Sequence, residues 1–262
     1  MLIVLKGGIY MDTDIMVSAS IVTYNDINRA PDTVKSIIEN TKKYPLKLYV
    51  IDNASTDGTA DSIEKSGQAT VIRQEKNLGF GAAHNVALTQ PLGKYHCVIN
   101  PDITISSDVI SDMVDYFEAN PDVVMAMPKI LNSDGTEQKL PKERPTFKRL
   151  FLGRLSDKIR GKYVWADKEI IEPTEICFCT GSFFLIRTDM FKKLLGFDER
   201  YFMYLEDADL ALKAKSKGKV MMLPQFEVTH AWERESSKSI RYLLIHIISS
   251  FKFLLKWRGK YK

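Results

Sequence analysis

Cysteine is scarce in this 262-residue chain, which holds only Cys97, Cys177 and Cys179. So small and odd a number cannot build a disulfide framework, and a reducing cytosol is the expected compartment. No Cys/His spacing fits a zinc site. Cys177 and Cys179 alternate in an apolar run, so they are expected on opposite faces of one strand. Long apolar runs are missing too. No uncharged apolar stretch reaches about 18 residues, which argues against a spanning helix. Met1 to Tyr10 are apolar but carry no basic leader and no cleavage signal, so no secretory peptide is expected. Met11, a second methionine, suggests that residues 1–16 are an extension outside the fold. The familiar phosphate-binding glycine motifs are incomplete. Gly79-x-Gly81 has His84 where a dinucleotide fingerprint needs its third glycine, and no Gly-Lys-Ser/Thr follows any strand.

What is present fits one sizeable α/β domain. Apolar residues make up 45% and charged residues 27%, ordinary values for a globular protein. Strands and helices alternate. Strands are expected over 17–22, 46–52, 69–73 and 95–99, and helices over 30–41, 59–65, 82–89 and 107–119. That rhythm predicts a mostly parallel sheet flanked by helices. It changes after Val123. A strand over 123–127 is followed by a loop-like segment, 139–162, with nine Lys/Arg against two acids. Further expectations are a strand over 176–186 broken at Thr180-Gly181-Ser182, helices over 190–195 and 206–217, and a strand over 220–223. Residues 17–120 and 121–235 would then form two halves of one domain, with a helix over 236–262 as its tail.

Four polar clusters fall at the ends of strands or in adjoining loops of the first half. They are Thr23-Tyr24-Asn25, Asp52-Asn53-Ala54-Ser55, the glycine loop before Asn85, and Asn100-Pro101-Asp102. A parallel sheet brings its carboxyl ends to one rim, where open α/β sheets bind ligands. An aromatic such as Tyr24 can pack on a base, and a carboxylate such as Asp52 can accept the imide N–H of uracil or thymine. Glycines let the backbone approach phosphate, and the following helix N-terminus favours negative charge. Pro101 cannot donate to a sheet ladder, so the strand should end there. The carboxylate beyond it suits a hard divalent cation whose other ligands come from diphosphate and water. Each cluster alone also reads as an ordinary turn or cap. Glu206 and Asp207 in the first turn of a helix are favoured by its dipole in any case.

The ordered set is more specific than its members. To those clusters are added Thr180-Gly181-Ser182-Phe183, the run Gly196-Phe197-Asp198-Glu199-Arg200-Tyr201-Phe202-Met203-Tyr204-Leu205-Glu206-Asp207, and His230. In that order, over about residues 17–235, the chain resembles glycosyltransferase family 2, nearest to bacterial rhamnosyltransferases of surface-polysaccharide and cell-wall assembly. The resemblance implies a GT-A fold and inverting transfer from a nucleotide-sugar donor, dTDP-rhamnose giving L-rhamnose. It implies that Thr23, Tyr24, Asn25, Asp52, Asn53, Ser55, Gly79, Asn85, Asn100 and Gly181 serve the nucleotide sugar. Asp207, with Glu206 beside it, would be the catalytic base. Asp102 and His230 would hold a divalent metal, Mg or Mn, with Asn100 standing where the family's metal motif has its first acid. The rivals are the same fold with a UDP-hexose donor, or a non-catalytic module that binds nucleotide sugar or saccharide.

No acid occurs after Glu235. Ile240, Leu243, Leu244, Ile247, Ile248, Phe251, Leu254 and Leu255 keep helical spacing in one apolar stripe, with Arg241, Lys252 and Lys256 on a flank and Tyr242, Phe253 and Trp257 on another. Such a basic amphipathic helix can lie in a membrane interface or pack on protein, including a second subunit of a homodimer. Trp232 would line an acceptor channel or pack. The basic 139–162 segment fits anionic headgroups or a lipid-diphosphate-linked saccharide acceptor. Nucleic acid is not an expected partner, because aromatics are not interleaved there as stacking platforms. The expected location is cytoplasmic, peripheral on the inner face of the cell membrane.

Overall fold

The computed structural model describes residues 2–5, 8–11, 15–154, 156–231 and 240–259. Strands β1 (Leu2–Leu5) and β2 (Gly8–Met11) pair antiparallel in a sheet of their own. The main sheet starts from β3 (Val17–Thr23), buried along its whole length. It pairs in parallel with β4 (Leu46–Asp52), placing Thr23 opposite Asp52. Helices α1 (Ala30–Asn40) and α2 (Thr59–Ser66) make the crossovers, and β5 (Thr70–Arg73) extends the parallel set beyond β4. Helix α3 (Phe80–Asn85) then leads to β6 (Tyr95–Ile99), parallel to β3 on its other side. Continuous burial of β3 and β6 explains their unbroken apolar reading, since helices cover both faces of a parallel sheet. Helix α3 begins two residues earlier than its expected start at Ala82 and tightens into a 3₁₀ turn over Val86–Thr89.

The chain beyond β6 is mixed. Its strands are β7 (Ile103–Thr104), β8 (Val123–Leu131), β9 (Thr174–Glu175), β10 (Phe183–Arg187) and β11 (Lys219–His230). Its helices are α4 (Val109–Ala119), α5 (Phe147–Phe151), α6 (Asp157–Val164), α7 (Thr188–Lys193) and α8 (Glu206–Lys215), followed by α9 (Ile240–Lys256). The order is β5-β4-β3-β6-β10-β8-β11-β7, with β9 on β11. Strand β10 runs antiparallel to both β6 and β8, so one sheet joins the two halves.

Several sequence expectations change here. Residues 139–162 are not a loop; they contain α5 and most of α6. Thr146 caps α5 by accepting the Arg149 N–H at 3.3 Å, while Leu150 and Tyr163 are buried beneath the charged side chains. The strand expected over 176–186 is reduced to β10, which starts at Phe183. Cys177 and Cys179 therefore lie before it, in irregular chain. Strands β8 and β11 run longer than expected, through Pro128 and Pro224. A register shift in β11 between Leu223 and Glu227 absorbs Pro224, and the extension carries His230 to a position opposite Ile103. Trp232, Glu235, Lys238, Lys260 and Lys262 lie outside the described residues.

The tail helix docks on an unexpected side. Its buried residues are Ser249, Ser250 and Phe253, followed by Trp257. Lys256, expected on a solvated flank, donates to Asp198 at 2.6 Å and to Asp209 at 2.7 Å. The Trp257 indole N–H donates to the other Asp209 oxygen at 2.8 Å, and the Ser249 hydroxyl donates to the Met203 carbonyl at 2.8 Å. Asp209 is fully buried, so its charge needs these partners. Most of the expected apolar stripe faces outward.

Candidate active site

The rim of the parallel half forms one wall of a cavity of about 610 Å³. Thr23 donates to Asp52 Oδ1 at 3.3 Å, and the Ser55 N–H donates to Asp52 Oδ2 at 3.2 Å. Both of these polar side chains are buried. Asp52 thus anchors its own turn, and the adjacent Asn53 lines the cavity. The Asn53 amide accepts the Leu78 N–H at 2.8 Å and donates to Asn77 Oδ1 at 2.9 Å, tying the end of β4 to the glycine loop. Asn25 adopts a left-handed conformation, φ 58°. Its N–H donates to Ser55 Oγ at 2.9 Å and its side chain accepts the Thr56 N–H at 2.8 Å. Asn25 and Ser55 therefore shape the wall. Tyr24, half-exposed, lines it.

The glycine loop has a different use from the one its composition suggested. A Cβ on Gly79 would lie 2.1 Å from the Phe202 carbonyl oxygen, and one on Gly81 would lie 2.8 Å from Phe197 Cβ. The Phe80 N–H donates to that Phe202 carbonyl at 2.9 Å. The bare backbone receives the 197–206 segment rather than standing open to phosphate, although Gly79 still borders the cavity. Asn85 is not at the cavity. Its amide clamps the same segment, accepting the Phe197 N–H at 2.8 Å and donating to the Phe197 carbonyl at 2.9 Å.

That segment ends in two successive left-handed residues, Tyr204 (φ 72°) and Leu205 (φ 68°). Neither is glycine, so the turn is strained by about 1–2 kcal/mol per residue. It sets the start of α8, where both Glu206 and Asp207 line the cavity. Asp207 Oδ2 accepts the Gly181 N–H at 2.9 Å, and Oδ1 accepts the Ala208 N–H at 2.8 Å. Burial pushes the Asp207 carboxyl up to about 6, with these two N–H groups pulling the other way. Glu206 is buried, and its Oε2 has no hydrogen-bond partner. Burial, then the negative charge of Asp207, raises Glu206 well above the usual carboxylate range. Burial thus raises both adjacent carboxyls, and the charge of Asp207 raises Glu206 further.

The same cavity is lined by Asn100, Pro101 and Asp102. Thr33 fixes this turn by donating to the Pro101 carbonyl at 2.7 Å. His230 Nε2 lies 3.1 Å from Asp102 Oδ1 and 3.4 Å from the Asn100 amide nitrogen. On the ring's other side, Gln138 Nε2 donates to the His230 carbonyl at 3.1 Å, so Gln138 Oε1 is left to accept from Nδ1 at 3.0 Å. With Nδ1 directed at Gln138 Oε1, Nε2 is the ring nitrogen that faces the Asp102 carboxylate. A ring nitrogen and a carboxylate oxygen at this spacing suit two ligands of one cation, with the ring held by an outer partner. Among the described residues no three His, Cys, Asp or Glu side chains cluster, so phosphate and water would have to complete such a shell.

The cavity also has lining that sequence reasoning missed. Asp26 and Arg29 follow Tyr24, and burial raises the Asp26 carboxyl despite the nearby Arg29 charge. Tyr163 and Phe178 come from the segment read as loop and strand. Arg241, Tyr242 and His246 come from α9. Only the Asn25-Asp26 pair after a strand end could have signalled any of these; the others depend on tertiary placement.

The sheet, the glycine-backed acidic turn and the Asn-Pro-Asp turn now stand together, and a family model matches the chain as far as residue 195. Residues 18–195 match the model of glycosyl transferase family 2, and the chain belongs to that family. An N-acetylglucosaminyl-diphospho-decaprenol L-rhamnosyltransferase of Mycobacterium tuberculosis is 27% identical over 230 residues, covering 80% of this chain and 75% of the relative. Rhamnosyltransferase WbbL of Escherichia coli is 28% identical over 198 residues, covering 69% of this chain and 71% of the relative. Among solved structures, GalNAc-T7 with UDP, GalNAc and Mn²⁺ superposes with a TM-score of 0.62 at 18% identity. That match covers 90% of this chain, which spans about half (48%) of the GalNAc-T7 chain. Mannosyltransferase PcManGT of Pyrobaculum calidifontis, in complex with GDP-Man and Mn²⁺, gives 0.60 at 18% identity, covering 92% of this chain and 64% of that one. These structural likenesses establish a GT-A fold.

Proposed function

We propose that the protein is an inverting glycosyltransferase that moves L-rhamnose from dTDP-rhamnose to a saccharide carried on a lipid diphosphate. It would act in bacterial surface-polysaccharide synthesis, at the inner face of the cell membrane. The observation that carries this reading is that Asp207 and Asp102, from opposite halves of the chain, line one cavity. The names of the two rhamnosyltransferase relatives support the donor and, for the mycobacterial one, the lipid-diphosphate acceptor.

The residues divide the work. Tyr24 and Asn53 line the wall that would take the base and ribose, with Thr23, Asn25, Asp52 and Ser55 fixing its shape. Asp207 takes the proton of the acceptor hydroxyl as its oxygen bonds to the anomeric carbon. The bond from that carbon to the phosphate oxygen breaks, and its electron pair leaves with the nucleoside diphosphate. A positioned carboxylate base contributes about 10²–10⁴ in rate to such a step. A divalent magnesium or manganese ion held by Asp102 and His230 would neutralise charge developing on the departing diphosphate. Arg29, electrostatically coupled to Asp26 and lining the same cavity, adds a cation there.

The expected outcome for Asp207→Asn is a fall in kcat of at least ~10² with donor affinity unchanged by calorimetry. Undiminished turnover would remove Asp207 from the mechanism. Donor choice is tested with dTDP-rhamnose, UDP-glucose, UDP-N-acetylglucosamine and GDP-mannose, read as nucleoside diphosphate release. Preference for a UDP-hexose would overturn the rhamnose assignment.

A further inference from the structure

Helix α9 has two faces that are both in use, and a third that nothing among the described residues covers. One face docks on the catalytic domain through Phe253, Lys256 and Trp257. A second lines the cavity through Arg241, Tyr242 and His246. The third carries the large apolar side chains Leu244, Ile248, Phe251 and Leu255, exposed at 54%, 53%, 50% and 69%. Single exposed apolar residues are normal; a contiguous row on one helix face marks an interaction surface. The patch continues onto α5. Phe151 stacks on Phe147 at 4.8 Å and meets Phe251 at 5.6 Å, and Phe147 is itself 57% exposed.

The charges beside this patch are mostly positive, with Glu143 and Asp157 the nearby acids. Helix α9 contains no acid. Next to Phe147, a cleft of about 390 Å³ between α5 and α6 is lined by Lys148, Arg149, Lys158 and Lys162. Arg149 pairs with Glu143 at 3.4 Å, whereas Lys148, Lys158 and Lys162 are exposed and pair with no acid among the described residues. A second copy would set this basic face against its own cations, which disfavours a self-complementary dimer. A lipid surface with anionic headgroups matches both the apolar row and the basic cleft. No helix among the described residues is long and apolar enough to cross a membrane, which leaves a helix lying in the interface.

We propose that the outward face of α9, with Phe147 and the basic α5–α6 cleft, docks the enzyme on an anionic bilayer and holds the cavity mouth at headgroup level. This rests on the reading of the acceptor as lipid-linked. The same helix that enters the lipid surface supplies Arg241 to the cavity, so an acceptor diphosphate at the headgroup plane would meet a cation on arrival.

The test is co-sedimentation of the full chain with vesicles of phosphatidylcholine alone or mixed with phosphatidylglycerol, without donor or acceptor. Wild type is expected to sediment with the mixed vesicles and to be released by high salt. The triple variant Leu244→Glu/Ile248→Glu/Leu255→Glu should lose at least tenfold in partitioning to them, and Lys148→Glu/Lys158→Glu/Lys162→Glu should lose only the dependence on phosphatidylglycerol. Both variants alter exposed side chains, so thermal melts should match wild type, and turnover of a water-soluble acceptor should be unchanged. Wild type remaining in the supernatant, or the first variant sedimenting as well as wild type, would overturn the proposal. So would a first variant that turns dimers into monomers in sedimentation velocity with vesicle binding intact. Vesicle binding is read without catalysis, so its failure is distinguishable from failure of the glycosyltransferase reading.

Discussion

At the residue scale, burial raises two adjacent acids whose hydrogen-bonding surroundings differ. Glu206 lies behind the rim without a partner for Oε2, while Asp207 has one backbone N–H on each oxygen. The N–H bonds stabilise the carboxylate form; burial opposes it and wins, leaving Asp207 at about 6. A general base works only when ionised, so kcat/KM should fall as pH drops through about 6 and level off above it. A rising limb centred near 4, the ordinary carboxylate range, would contradict the burial argument. If Asp207 is the base, Glu206→Gln should keep the rising limb in place and retain most turnover. If that variant instead lost about 10² or more in kcat, Glu206 rather than Asp207 would be the base.

At the scale of elements, the acid-bearing turn is built by glycines distant in sequence. Gly79→Ala would drive a Cβ toward the Phe202 carbonyl, a 2.1 Å approach, at a residue whose φ is +84°. Overpacking and left-handed strain together should cost about 2–4 kcal/mol in urea unfolding, and turnover should drop as Asp207 moves. Unchanged stability and activity would mean the loop tolerates displacement. Lys256→Ala should destabilise by about 3 kcal/mol, because fully buried Asp209 would lose its closest cation. Periodicity alone could not foresee these contacts. It placed β3, β4 and β6 within a residue, since continuous apolar runs bounded by Asn, Asp and Pro have few other readings. It misread 139–162 because nine cations hid the i, i+3 spacing of Phe147 and Leu150. For α9 it identified the stripe but not its direction. That was decided by Asp209, whose buried carboxylate recruits Lys256 and Trp257 and turns the apolar row outward. Within the site, the rim positions were legible, but the split between wall-shaping and wall-lining residues was not. Whether Asp52 or Asn53 faces the cavity depends on one turn's hydrogen bonds.

At the scale of the whole molecule, one continuous sheet brings Asp102 and the loop that holds Asp207 to one cavity. Strand β10 pairs with β6 on one side and β8 on the other, so the Asn100–Asp102 turn at the end of β6 and the Gly181 loop before β10 are neighbours. The Asn100 N–H donates to the Ser182 carbonyl at 2.8 Å, and Gly181 in turn holds Asp207. On the proposed reading, donor binding and proton removal are linked through backbone but chemically separate. Asp102→Ala should weaken donor binding measured with Mn²⁺ and leave the weaker metal-free binding unchanged. Asp207→Asn should leave both kinds of donor binding unchanged while lowering turnover by at least ~10². The double variant should therefore bind donor like Asp102→Ala and turn over no faster than Asp207→Asn. Titration calorimetry with and without Mn²⁺, beside single-turnover rates, separates the two effects. Were Asp207→Asn to weaken Mn²⁺-dependent donor binding as much as Asp102→Ala does, both acids would belong to one metal centre. The assignment of base and metal to separate acids would then be wrong.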